Sequence, residues 1–326
     1  MNLPAVVGNE LSFINFLAND FSRLEGVKVD YKNGYLVIKS LTDADKILLS
    51  AHIDRHGLIT NGKGSLEYAA YRTKREKYSS PTAIEKENWQ KIRERFIGES
   101  VFAYHKDTGK PLVNGCVEDC YLCPVRDNFV FSVTELTDLE ADIPVGFDNP
   151  YELNSNYVTG QLDNVISVAL GYYLFANGFK GTMLLTCEEE IGQSWRYIAD
   201  YLQKEATDSK LLVLDTSPFD EDANFDDTSI VLRTRDQNSE FDINTVNWLS
   251  NIANGLNLPI IFKDTWLLNG GSQDLGSTEL GRLLSETDVQ QSATTLQIPS
   301  RGYHTNREKI SQAAMANFLK IFAAIN

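Results

Sequence analysis

The chain has 326 residues, 42% hydrophobic and 23% charged, the composition of a soluble globular protein with ample apolar material for a core. Its net charge of −15 argues against nucleic acid as a partner, because a polyanion is held by an excess of Lys and Arg. No stretch approaches the roughly 20 apolar residues of a membrane span, and M-N-L-P-A-V-V-G-N-E has no basic region ahead of an apolar one, so neither a membrane nor a secretory signal is expected.

Asn9 to Leu24 spaces apolar residues as an amphipathic helix does. Val27 to Ser40 holds two alternating runs around Lys32-Asn33-Gly34, a hairpin signal. Lys46 to Ala51 reads as a buried strand, with His52-Ile53-Asp54 at its end. From about Thr60 to Pro150 the long apolar runs give way to alternating and charged segments. Pro81 to Phe96 reads there as one polar helix, and G-E-S-V-F-A-Y-H and N-F-V-F-S-V-T-E as strands. The expected organisation is a small β-rich domain, 61–149, inserted into a larger discontinuous one of 1–60 and 150–326.

Beyond the insertion Gly160-Gln161-Leu162-Asp163-Asn164 precedes a helix from Val165 to Ala176, closed by Asn177-Gly178. Strands follow at Thr182 to Cys187, Lys210 to Leu214, Ser229 to Leu232, Leu258 to Phe262 and Thr294 to Ile298. Helices are expected at Gly192 to Lys204, Phe241 to Ala253 and Glu308 to Ile325. Strands alternating with helices predict an α/β fold with a mostly parallel central sheet flanked by helices.

Four of the buried strands end on residue types that bind metals: His52, the pair Glu189 and Glu190, Asp215, and His304. Asp163 opens the first helix after the insertion. In a parallel sheet those ends share one rim, where open α/β sheets bind ligands. Each residue alone would more often be a cap, a loop charge or half of a surface ion pair. Together, two histidines and several carboxylates suit Zn²⁺, Mn²⁺ or Co²⁺.

These residues stand in five motifs that resemble, in order, those of the dinuclear metallo-aminopeptidase family of glutamyl, deblocking and TET aminopeptidases. H-I-D-R-H-G at His52 is similar to the family's H-x-D-E-x-G, G-Q-L-D-N at Gly160 to A-L-D-[DN]-R, and E-E-I-G at Glu189 to E-E-V-G. V-L-D at Val213 supplies the lone aspartate, and I-P-S-R-G-Y-H-T at Ile298 is similar to I-P-x-R-Y-x-H-S. The resemblance covers nearly the whole chain, least well in the insertion. It implies a zinc-peptidase-like α/β fold and two divalent ions per chain, Zn²⁺ with Co²⁺ or Mn²⁺ as alternatives. It also implies hydrolysis of N-terminal residues from peptide substrates.

By the same resemblance Asp163 bridges the ions, His52 and Asp215 complete one position, and Glu190 and His304 the other. Asp54 orients His52, and Glu189 is the general base. A homo-oligomer in the cytoplasm is expected, built partly through the inserted domain. A related amidohydrolase acting on a small acylated amine, and a non-catalytic binding or assembly member, are the alternatives.

The chain departs from the family at several positions. Arg55 replaces a glutamate beside the metals, Val165 replaces an arginine, and G-G-S-Q-D-L at Gly270 only approximates G-G-T-D-A, so Asp274 receives no role. Trp195 either lines a substrate pocket or packs within its helix. His56 is either an extra ligand or a histidine that supports the ligands or is solvated, and the latter is preferred. Cys116, Cys120 and Cys123 form C-x3-C-x2-C, a spacing that resembles the iron–sulfur motif of radical SAM enzymes. A structural zinc completed by His105, or a reduced loop without metal, are the blander readings, and the last is preferred.

Overall fold

The computed structural model describes all residues except 1–2, 43–45, 80–85, 149 and 206–207. Its larger sheet is centred on four parallel strands, in the order Thr182–Thr186, Ile47–His52, Lys210–Pro218 and Ala293–Arg301. Side chains on both faces of these strands are buried, which is why they read as continuous apolar runs and not as alternating ones. Successive side chains go to opposite faces. Leu49, Leu185, Leu212 and Leu214 join one core with the helices Leu11–Phe21, Val165–Ala176 and Gln312–Ile325. Leu48, Leu184, Leu211 and Val213 join another with the helices Trp195–Glu205 and Glu279–Glu286. Helices thus cover both faces of the sheet.

The sheet as a whole is mixed, which corrects the mostly parallel expectation. Tyr35–Ser40 pairs antiparallel to Thr182–Thr186 and carries its hairpin partner Val27–Lys32, while the other flank continues antiparallel through Glu308–Ser311, Tyr157–Gly160 and Glu152–Leu153. Parallel pairing needs a crossover of a dozen residues or more, so the short links from Val27–Lys32 to Tyr35–Ser40, from Glu152–Leu153 to Tyr157–Gly160 and from Ala293–Arg301 to Glu308–Ser311 permit only antiparallel neighbours there.

Glu308–Ser311 corrects a second expectation. The terminal helix begins at Gln312, where Ser311 accepts a hydrogen bond from the Ala313 main-chain N–H. Glu308 to Ser311 is instead a strand, because it closes the gap between Tyr157–Gly160 and the end of Ala293–Arg301. The helix at Gly192 likewise starts at Trp195, after a short 3-10 turn over Glu189–Ile191.

A seven-stranded antiparallel sheet is built entirely from residues 58–147 and has a core of its own, including Phe96, Phe129, Phe131, Tyr104 and Val145. Its strand Leu58–Asn61 straddles the border expected at residue 60. Ser100–Tyr104 and Asn128–Ser132 match the strands read from sequence. Of the helix read over Pro81 to Phe96, Lys86–Phe96 is helical, and 81–85 lie outside the described residues. The helix Ala69–Tyr78 was not legible, since its exposed face is almost wholly charged.

Leu212 is fully buried in the strand Lys210–Pro218, in register with Leu49 and Thr294 of the two strands beside it. Leu212→Ala should lower stability by about 2–5 kcal/mol, through lost transfer energy plus the cavity left behind. Denaturant unfolding should show a lower midpoint at unchanged slope, and an unchanged midpoint would contradict this packing.

Candidate metal centre

Because the four central strands are parallel, their carboxyl ends meet on one rim. Thr186 pairs with His52 in register, so the loop after Thr186 starts level with the histidine. That loop carries three glutamates, and its backbone sorts them. Glu188 adopts the left-handed region at φ 67°, and its carboxylate leaves the rim to accept hydrogen bonds from Lys77, Tyr78 and Tyr197. Glu189 and Glu190 then turn over the rim, with both main-chain N–H groups donating to the Asp54 carboxylate at 3.1 Å. Asp54 is fully buried, and its role differs from the expected one in detail. Its carboxylate lies 3.7 Å from His52 Nδ1, while its own carbonyl oxygen is nearer, at 3.2 Å.

All the ligand-type residues named from sequence converge. His52 Nε2 lies 3.2 Å from Asp163 Oδ1 and 3.5 Å from Asp215 Oδ1. His304 Nε2 lies 3.5 Å from Asp163 Oδ2 and 3.5 Å from Glu190 Oε2. The two oxygens of Asp163 thus face different histidines. Donors about 2.0 Å from an ion in a tetrahedral site sit about 3.3 Å apart, so these spacings suit a shared ion. Asp163 Oδ1 is buried without a hydrogen-bond partner, as a donor atom awaiting a cation would be. The residues form two groups able to hold a metal, His52 with Asp163 and Asp215, and His56 with Glu190 and His304.

The electrostatics agree. Burial, then the neighbouring carboxylates, push Glu189 and Glu190 well above the usual carboxylate range, and burial raises Asp215 to about 6. Burial opposes charge on His52, but the attraction of Asp163, Asp215 and Asp54 outweighs it and raises that imidazole well above its ordinary value. His304 is driven well below it, by burial and then by His56 and Arg95. Acids that resist ionising and a histidine held positive are signs of missing positive charge. Divalent ions supply it, and the N/O donor set fits them.

Sequence reasoning missed Glu308. This buried carboxylate accepts the main-chain N–H groups of Leu162 at 2.6 Å, Asp163 at 2.8 Å and His304 at 2.7 Å. It clamps the Asp163 loop to the His304 turn, where His304 itself sits at φ 59°. The only signal was a glutamate four residues after a histidine, which helical periodicity explains equally well. The Asp163–Asn164 peptide is cis.

Other residues singled out from sequence fall outside the centre. Arg55 does not set the charge beside the metals as expected. Its guanidinium turns away, donates to the Leu3 carbonyl and the Tyr151 hydroxyl, and lies over the Phe13 ring. Val165 is buried in the core. Trp195 packs against the core of its own helix, under Arg196. Asp274 is exposed and accepts a local bond from the Gly276 N–H. Cys116, Cys120 and Cys123 lie on the strands Pro111–Cys116 and Asp119–Cys123 and not on a loop, and His105 is exposed. Among the described residues, neither group able to hold a metal includes them. His56, by contrast, is buried within the centre and so is not solvated.

No protein-family model and no curated protein matches the chain. Solved structures do. Aminopeptidase APDkam598 from the archaeon Desulfurococcus kamchatkensis superposes with a TM-score of 0.71 at 16% identity, over 98% of this chain and 90% of that one. A TET aminopeptidase from a marine sediment thaumarchaeote also gives 0.71 at 16%, over 98% and 92%. The TET1 peptidase of Pyrococcus horikoshii, which can assemble into a tetrahedron or a large octahedral shell, gives 0.69 at 16%, over 99% and 96%. The chain therefore has the fold of these TET-type aminopeptidases along nearly its whole length.

Proposed function

We propose that the chain is a metal-dependent aminopeptidase that removes N-terminal residues from peptides at a pair of divalent ions. The observation that carries this reading is Asp163, whose two carboxylate oxygens lie 3.2 and 3.5 Å from imidazoles of different donor groups. Asp163 is the bridge, His52 and Asp215 complete one position, and Glu190 and His304 belong to the other. These residues would hold two ions, and such a pair would polarise a scissile carbonyl and lower the pKa of the attacking water. Zn²⁺ suits the donors best, with Co²⁺ or Mn²⁺ as alternatives.

Glu189 belongs to neither donor group, yet its backbone is pinned beside them by Asp54. It is the carboxylate free to move protons. As the oxygen of water bonds to the peptide carbonyl carbon, Glu189 takes the water's proton. It then delivers that proton to the leaving nitrogen as the C–N bond breaks, releasing an amino acid and a shortened peptide. Burial resists its ionisation, and the charge of bound cations would offset this so that the carboxylate can accept the proton.

The antiparallel unit, read as an insertion over 61–149, shapes access to this centre. A cavity of about 220 Å³ opens between Tyr71 and Arg95 of that unit and Glu190, Tyr303 and His304 of the larger one. One side chain of a peptide fits a space of that size. The assemblies formed by the TET1 neighbour support a homo-oligomer here too.

Three substitutions test the reading. Glu189→Gln keeps the shape but cannot accept the proton, so kcat should fall by roughly 10²–10⁴-fold while metal content stays that of the parent. Turnover of aminoacyl-p-nitroanilides at the parent rate would remove Glu189 from the mechanism. Asp163→Ala should lose most of both ions by elemental analysis, and equal metal in mutant and parent would contradict the bridge. Glu308→Ala leaves three N–H groups without their acceptor and should weaken ion uptake by about 10–100-fold, the usual cost of removing a partner that orients ligands. Equilibrium dialysis giving the parent affinity would show that the clamp does not position the ligands.

A further inference from the structure

We propose that His56 is itself a metal ligand, so that the second ion is closed by four protein donors, His56, Glu190, His304 and Asp163. The first position keeps three, His52, Asp163 and Asp215, which would leave its ion open to water and substrate. This assignment rests on the dinuclear reading above and adds a ligand to it.

The geometry points to His56 for three reasons. It is buried, 5% exposed, and its Nε2 lies 2.7 Å from Glu190 Oε2. At that distance a hydrogen bond would be the simpler explanation, with His56 merely steadying Glu190. The directions exclude it, because Nε2 is a buried nitrogen with no hydrogen-bond partner. The nitrogen is therefore not spent on that oxygen, and a small separation of the two would bring them to about 3.3 Å, the spacing of two donors on one ion. The ring also stands edge-on to His304 with centroids 4.0 Å apart at 76°, which brings both imidazoles to one side of Glu190. Finally, Nδ1 lies 2.6 Å from the hydroxyl of Tyr68, itself only 2% exposed. A proton on Nδ1 shared with that oxygen leaves the Nε2 lone pair free for a metal, the usual arrangement for ligating histidines.

Sequence and backbone place His56 well for this. His52 ends its strand, and the chain turns across the rim so that a histidine four residues on reaches the neighbouring position. The turn is held from both sides, by the Gln161 side chain donating to the His56 carbonyl at 2.9 Å and by the Ala69 N–H donating to the Gly57 carbonyl at 3.1 Å. The division of donors has a chemical consequence. Sites with four protein ligands hold an ion firmly, whereas sites with three present it to water and substrate. The three residues of the first position would thus leave a bound ion accessible to the scissile carbonyl, while the four of the second would hold theirs to support Asp163.

Proton NMR of the Co²⁺-loaded protein reads the ligand count without turnover. The chain has four histidines, and exposed His105 lies outside both groups. Each imidazole bound through Nε2 gives one exchangeable N–H resonance shifted far downfield by the paramagnetic ion. Three such resonances are expected, from His52, His56 and His304, and two in His56→Asn. The same variant should weaken one of the two ions by more than the roughly 10–100-fold typical of an orienting partner, with Tyr68→Phe falling inside that range. Two shifted resonances in the parent protein would overturn the assignment and leave the dinuclear reading intact, and this count decides the matter even if His56→Asn fails to fold. No shifted resonance at all would instead remove the metal pair, and His56 with it.

Discussion

Three main-chain N–H groups converge on one buried carboxylate, that of Glu308, and the rest of the centre depends on that convergence. The donors belong to distant segments of the chain, at Leu162–Asp163 and at His304, so a single side chain sets the distance between the central aspartate and the last histidine. Main-chain donors have no rotamer freedom, and Glu308 is itself placed by sheet register, opposite Gly160. A buried carboxylate beside Asp163 is nonetheless under repulsion, and after burial it is Asp163 that pushes Glu308 well above the usual range. The clamp and the donor cluster therefore share one unmet need for positive charge, which cations held by the two donor groups would relieve.

The three successive glutamates show how neighbouring residues of one type acquire different duties. In a regular strand they would alternate, the first and third on one face and the second on the other. The left-handed turn at Glu188 separates them, at a cost of the order of 1–3 kcal/mol for a non-glycine residue. What offsets it is the set of bonds that Glu188 then makes, to Lys77 and Tyr78 of the helix Ala69–Tyr78 and to Tyr197 of Trp195–Glu205. The same backbone step thus joins the antiparallel unit to the rim and frees the next two carboxylates for the centre.

Much of this was legible in the sequence because a buried strand advertises itself as an unbroken apolar run. Its end is marked by the first polar residue, which is why His52, Asp215 and the glutamates after Thr186 stood out. The parallel centre followed from the alternation with helices. What local pattern could not carry was partnership across the chain. Glu308 to Ser311 has no periodicity to separate it from the helix that follows, and only its two strand neighbours make it extended. Arg55 follows Asp54 directly, yet its guanidinium finds Leu3 and Tyr151, partners that no spacing rule names. The cysteine spacing was the converse case. A motif-like interval lies along two strands, where alternation sends side chains three apart to opposite faces.

The two donor groups also differ in where they come from. His52, Asp163 and Asp215 all stand on the larger sheet or the loops leaving it, so their spacing follows from strand register. The second group leans on the antiparallel unit as well, since Tyr68 of the strand Leu66–Tyr68 holds His56 from behind. Arg95, on the helix Lys86–Phe96, lies over the Tyr303 ring next to His304. Any displacement of that unit would reach the second group and leave the first nearly untouched. The linkage through Glu188 opposes such displacement, because Lys77 and Tyr78 tie the unit to the loop that carries Glu190. One loop, Glu188 to Glu190, thus supplies a donor to the centre and also anchors the unit that supports the neighbouring donor.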